Sequence, residues 1–176
     1  MTAIARFLGR TSGALALACA LICACSAPTH HFTSTSPLVT LTQISRDPYT
    51  NKTSQHQTEV EPDTFAFGNT VVAAFKVGRF FKGGASNIGW ATSTDGGRSW
   101  THGFLPGTTV FTGGSYDQVS DPSVAYDARY NVWMISYLAH KTSPSTGSLI
   151  DVLASRSTTG GLSWSIPALV KQRLAG

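Results

Sequence analysis

Two octets limit the possible folds of this chain more than any other feature: STDGGRSW at Ser93–Trp100 and STTGGLSW at Ser157–Trp164. Each follows a run of strand-forming residues. In the first, the Asp95 carboxylate is placed to accept backbone N–H bonds across a turn. Gly97 supplies a positive φ that a side chain resists. Trp100 is expected to fold back on the hairpin, with its indole N–H near a backbone acceptor. In the second octet Thr159 replaces the Asp, and its hydroxyl is a weaker local acceptor. A Ca²⁺ loop is a poor alternative, because one carboxylate in eight residues cannot supply the oxygens that ion takes.

The octets belong to a longer repeat. EPDTFAFGNTVVAAF (Glu61–Phe75) aligns with DPSVAYDARYNVWMISY (Asp121–Tyr137). Each opens on acid-Pro, gives a short strand ending on an aromatic (Phe67 or Tyr126), then an apolar strand closing on Phe75 or Tyr137. A third strand and the octet follow. Pro62 to Pro122 is 60 residues and Ser93 to Ser157 is 64, so the offset drifts only by loop lengths. Strands are expected over 70–77, 87–93, 122–127, 131–138 and 149–157, with Ile88, Trp90 and Thr92 on one face. Turn residues separate them at Gly68-Asn69, Gly83-Gly84, Gly113-Gly114 and Pro144 to Gly147. The mature chain shows no helical pattern. Four short strands in sixty-odd residues fit one blade of a propeller.

The N-terminal stretch reads differently. Arg6 and Arg10 precede the apolar run Gly13–Cys25, which ends in small residues, as in a secretory signal over 1–24. An uncleaved anchor is the alternative, although the run is short for a membrane span. All three cysteines, Cys19, Cys23 and Cys25, lie here, so the mature domain depends on core packing and not on disulfides. LICAC resembles a lipobox, which makes Cys25 the lipidated first residue. Ordinary cleavage and release is the alternative. The expected location is therefore exported, either as a cell-surface lipoprotein or secreted. Without Arg6 and Arg10 the basic count falls from 13 to 11 against 9 acids, a formal charge of +2 in place of +4. That balance, with no Lys/Arg cluster, argues against nucleic acid as a partner. Residues 25–58 read as a Ser/Thr/Pro tether containing His30 and His31, a possible first strand at 38–45 and a polar loop. The repeat domain is expected over 59–176.

Ser-x-Asp-x-Gly-x-x-Trp resembles the Asp-box, or BNR repeat, of sialidases and related β-propellers. Ser93, Asp95, Gly97 and Trp100 fill all four positions; Ser157, Gly161 and Trp164 fill three, with Thr159 at the Asp. The resemblance covers about Glu59 to Pro167. It implies an all-β fold of four-stranded blades, six in a complete ring and about two to two and a half here. It also places the boxes on the outer part of each blade, away from the active site. The function implied is engagement of extracellular glycans, as an exo-sialidase-type glycoside hydrolase when complete. The alternative is a non-catalytic scaffold binding carbohydrate or a surface protein. No cofactor or metal is expected.

Sialidases resemble one another in an arginine triad that pairs with a sugar carboxylate, a Tyr nucleophile helped by a Glu, and an Asp acid/base. The usual Phe/Tyr-Arg-Ile/Leu-Pro string is absent; Arg46 stands in SRDPY, and Arg79, Arg98, Arg129, Arg156 and Arg173 form no evident triad. Arg98 and Arg129 are expected to face solvent, as are His56, His102 and His140. The catalytic candidates are Glu61 and Asp121 at equivalent repeat positions, with Asp117, Arg79 and Tyr116 at rim loops. The competing reading of Glu61 and Asp121 is that they cap Pro-initiated strands by accepting backbone N–H bonds. Two units cannot close a ring, and an open stack leaves strand edges exposed. The sequence is therefore expected to be the N-terminal part of a longer protein. Assembly of several copies into a ring, or a small two-sheet fold, are the alternatives.

Overall fold

The computed structural model describes residues 41–143 and 147–174. The segment expected as a signal, Cys25 with the expected lipobox, His30 and His31 lie outside these residues. The fold is all-β: one open antiparallel sheet of eight strands with, among the described residues, a single 3-10 turn, Val110–Thr112. The strands are β1 (Glu59–Phe67), β2 (Thr70–Arg79), β3 (Ala85–Ser93), β4 (Thr101–Phe104), β5 (Gln118–Asp127), β6 (Val132–Ser143), β7 (Gly147–Ser157) and β8 (Ala168–Leu174). Residues 41–45, the described part of the possible first strand, take no strand pairing.

The order divides into two four-strand meanders. β1 to β4 pair in sequence, and so do β5 to β8. One pair, Ala85↔Val119, joins the two ladders. What holds the meanders together is side-chain burial. Val72, Ala74, Ile88 and Trp90 on the back of the first meander form one cluster with Trp133, Ile135, Tyr137 and Leu153 on the front of the second. Burial on this scale is the dominant favourable contribution to such a fold. On the front of the first meander, Ala73, Phe75, Val77 and Ala91 pack against Trp100 and Phe104 of the same meander, and against Ile44 and Tyr49. Both faces of β2 are thus covered, which accounts for its apolar sequence, interrupted only by Lys76 before Val77.

The segment 46–58, expected as a polar loop, is tied down by its own polar groups. Asp47 accepts N–H bonds from Tyr49 (2.8 Å) and Thr58 (3.0 Å). Asn87 Nδ2 donates to Tyr49 Oη (3.1 Å), and Ser86 Oγ donates to Asn51 Oδ1 (3.0 Å). Gln55 N–H donates to the Arg79 carbonyl at 2.7 Å.

The acid-Pro pairs do not open strands, which corrects one expectation. β1 begins at Glu59 and β5 at Gln118, and each runs through its proline. Register breaks between Val60 and Asp63, and again between Ser120 and Ser123. Glu61 (φ 54°) and Asp121 (φ 50°) sit in these two bulges with left-handed backbone. The physical reason is local: proline lacks the N–H a ladder needs, and a bulge lets the strand continue past it.

Candidate functional site

The two octets form nearly the same turn. Asp95 Oδ1 accepts N–H bonds from Arg98 and Ser99, both at 2.9 Å, and a hydroxyl bond from Ser93 at 2.8 Å. Ser99 Oγ donates to Asp95 Oδ2 at 2.6 Å. Ser93 Oγ in turn accepts the Gly97 N–H at 2.8 Å, and Trp100 Nε1 donates to the Gly97 carbonyl at 3.1 Å. In the second turn Gly161 N–H reaches Ser157 Oγ at 2.9 Å and Trp164 Nε1 reaches the Gly161 carbonyl at 3.1 Å. Thr159 Oγ1 accepts one N–H, from Ser163 at 2.9 Å, where Asp95 accepts two. Replacing Thr159→Asp is expected to add the second acceptor and raise Tm; an unchanged or lower Tm contradicts that account.

The side chain and amide of Ser99, then Ser93 and the Arg98 amide, hold the Asp95 carboxyl well below the usual carboxylate range. A lowered folded-state pKa contributes stability that is complete above the unfolded value of about 4 and is lost as pH falls below it. Asp95→Asn is therefore expected to flatten the acid limb of the Tm–pH curve below about pH 4. A curve of unchanged steepness refutes the assignment.

The second turn also joins the meanders, which the sequence did not announce. Thr92 Oγ1 donates to the Gly161 carbonyl at 2.7 Å, and the Trp164 ring lies 6.5 Å from that of Trp90. Trp100 stays against its own hairpin, as expected, whereas Trp164 packs into the core shared with the first meander.

The catalytic candidates are not gathered into one site. Glu61 Oε1 accepts from the buried Lys76 ammonium at 2.5 Å, and among the described residues neither Glu61 nor Asp121 caps a strand through a backbone N–H. Asp121 is exposed and has no side-chain partner among the described residues. The capping role falls to Asp63, which was not singled out. Its Oδ2 accepts the Val124 N–H at 2.7 Å and the Ser123 hydroxyl at 3.0 Å, tying β1 to β5. The Val124 bond is the main reason its carboxyl is lowered. The available signal was repeat position, since Asp63 aligns with Ser123.

Asp117 Oδ2 accepts the Thr142 N–H at 2.7 Å. Arg79 donates to Gln55 and so anchors the preceding segment. Tyr116 Oη donates to Asp151 Oδ2 at 2.5 Å. Burial first, then this bond, push the Tyr116 phenol up to about 12. Asp151 is a second residue that went unremarked. It is buried, its Oδ1 has no partner among the described residues, and it stands where Asn87 stands in the first meander. A carboxylate inside the apolar run LIDVLAS was the available signal. A raised phenol pKa contributes stability that is complete below the unfolded value near 10 and is lost as pH rises toward 12. Ultraviolet titration is expected to show one tyrosine ionising near 12 that Tyr116→Phe removes. An unchanged titration argues against the pair.

The turns opposite the octets border a groove of about 220 Å³ lined by Lys82, Gly83, Gln118, Leu138, His140 and Ile150, among others. His140 Nδ1 lies 3.3 Å from Gln118 Nε2, and its Nε2 contacts the Ser148 hydroxyl. Both ring nitrogens are thus engaged by protein groups. The arginines are dispersed: Arg98 bonds back to the Asp95 carbonyl, Arg129 stacks over Tyr130 at 5.3 Å, and Arg46 and Arg156 are exposed at separate places. Among the described residues no group of three His, Cys, Asp or Glu is placed to hold a metal ion. No helix among them is long and apolar enough to cross a membrane. No family model and no curated protein matches the chain.

Proposed function

We propose that the two meanders are blades of an exported Asp-box propeller that engages extracellular glycans as a binding scaffold. The observation that carries this reading is the repeat itself. Two four-strand meanders share the acid-Pro bulge and the box hairpin, and the back of one packs on the front of the next. The state of the candidate residues favours binding over chemistry. Glu61, Asp117 and Tyr116 are each held by a protein partner, and among the described residues Arg46, Arg79, Arg98, Arg129 and Arg156 form no carboxylate clamp. A glycoside hydrolase of the exo-sialidase type is the second reading. It rests on Asp121, an exposed carboxylate with strained backbone on the strand adjoining Asp63.

Retention of the purified protein on immobilised glycans, assayed beside turnover of a fluorogenic sialoside, separates the two. Retention without turnover is the expected result. Turnover that Asp121→Asn abolishes establishes the second reading, and neither retention nor turnover sinks both. The export route is tested separately. Cys25→Ser is expected to move the protein from the membrane to the soluble fraction; an unchanged distribution refutes the lipid anchor.

A further inference from the structure

The two meanders pack in one direction only. The back of the first, with Val72, Ala74 and Ile88, is fully buried against the front of the second. The repeat-equivalent back of the second meander carries Met134, Ser136, Leu138 and Val152. Met134 there is 37% exposed, and the other three are half-buried. Leu138 takes the place of Lys76, and the exposed Arg156, paired with Met134, takes the place of Thr92, so the charge on this face lies toward its octet end. At the other end of the stack, the front of the first meander is covered by residues 41–58. Tyr49 there meets Asn87, as Tyr116 meets Asp151 in the second meander. The segment thus occupies a front that, one repeat later, receives an entire meander.

We infer that the open back face docks on the first-meander front of a second copy of this chain, and that residues 41–58 gate this association. With the segment seated, the front is closed and the chain is monomeric. With it displaced, the front can take another copy's back face through the same kind of contact that already joins the two meanders. The interface is head-to-tail, so copies add in one direction, into a ring if the rotation closes and a filament if it does not.

The test uses the full chain with Ile44→Asp and Tyr49→Ala, which remove the segment's two apolar anchors. Mass measured by light scattering is expected to rise with concentration for this variant and to stay monomeric for wild type. Adding Met134→Asp, at the repeat position of the fully buried Val72, is expected to abolish the association, and so is the peptide of residues 41–58 supplied in trans. A loosened variant that stays monomeric while keeping its near-ultraviolet circular dichroism overturns the inference. So does association that survives Met134→Asp. If the loosened variant does not fold, hydrogen exchange on wild type decides. Amides of 44–58 are expected to exchange faster than those of β2 and β3, and equal protection overturns the gate.

Discussion

Replacing Trp90→Ala is expected to cost about 3–5 kcal/mol, the usual range for deleting a large buried aromatic. Trp90 is 7% exposed, and its ring lies over Gly103, where an added Cβ would come within 2.6 Å of Cζ2. It is also one of the residues through which the first meander reaches the second, against Trp164. Truncation therefore leaves a cavity on a joint that one ladder pair and the Asp63 and Thr92 hydrogen bonds otherwise reinforce. Urea denaturation followed by Trp fluorescence should show the lower midpoint. The unfolding slope should also fall if the meanders lose their common transition. A loss below about 1 kcal/mol means that the shared core does not couple them.

A second large effect separates neighbouring glycines in the degenerate octet. Gly161 has φ 84°, and a Cβ there would lie 2.7 Å from Val72 Cγ2 and 2.9 Å from Thr92 Oγ1. Gly161→Ala combines left-handed strain with overpacking, for an expected loss of about 2–4 kcal/mol. Gly160 has φ 70° and nothing within 4 Å. Gly160→Ala carries the backbone strain alone, about 1–2 kcal/mol. Equal losses at the two positions remove the claim that the second turn is a docking surface for the first meander.

The octets were legible in the sequence because everything they need lies within eight residues: an acceptor, a positive-φ glycine and a tryptophan. The repeat was legible for a similar reason, since acid-Pro, aromatic and octet recur at nearly constant offsets. Strand ends were less legible. Pro62 and Pro122 looked like strand starts, and the bulges that carry β1 and β5 past them arise from pairing with distant strands. The segment 46–58 read as a polar loop because its composition is polar. Its fixed position comes from Tyr49, Asn51 and Gln55 meeting β2 and β3. Of the candidate site, individual residues were placed near turns, but their engagements were invisible. Nothing local in the sequence couples Glu61 to Lys76, Tyr116 to Asp151, or Arg79 to Gln55.

The joint between the meanders also has a consequence in time. The chain is made from its N-terminus, and the face bearing Val72, Ile88 and Trp90 is complete 47 residues before its partner Tyr137 and 63 before Leu153. At ordinary synthesis speeds that is a delay of about 2–13 s. Hairpins close in microseconds, so the first meander has ample opportunity to form and then wait with a large apolar surface uncovered. A nascent neighbour or a holding chaperone has that interval in which to meet it. Thr92 cannot complete its bond to Gly161 until the second octet has emerged, which makes that bond a late signal that the waiting is over.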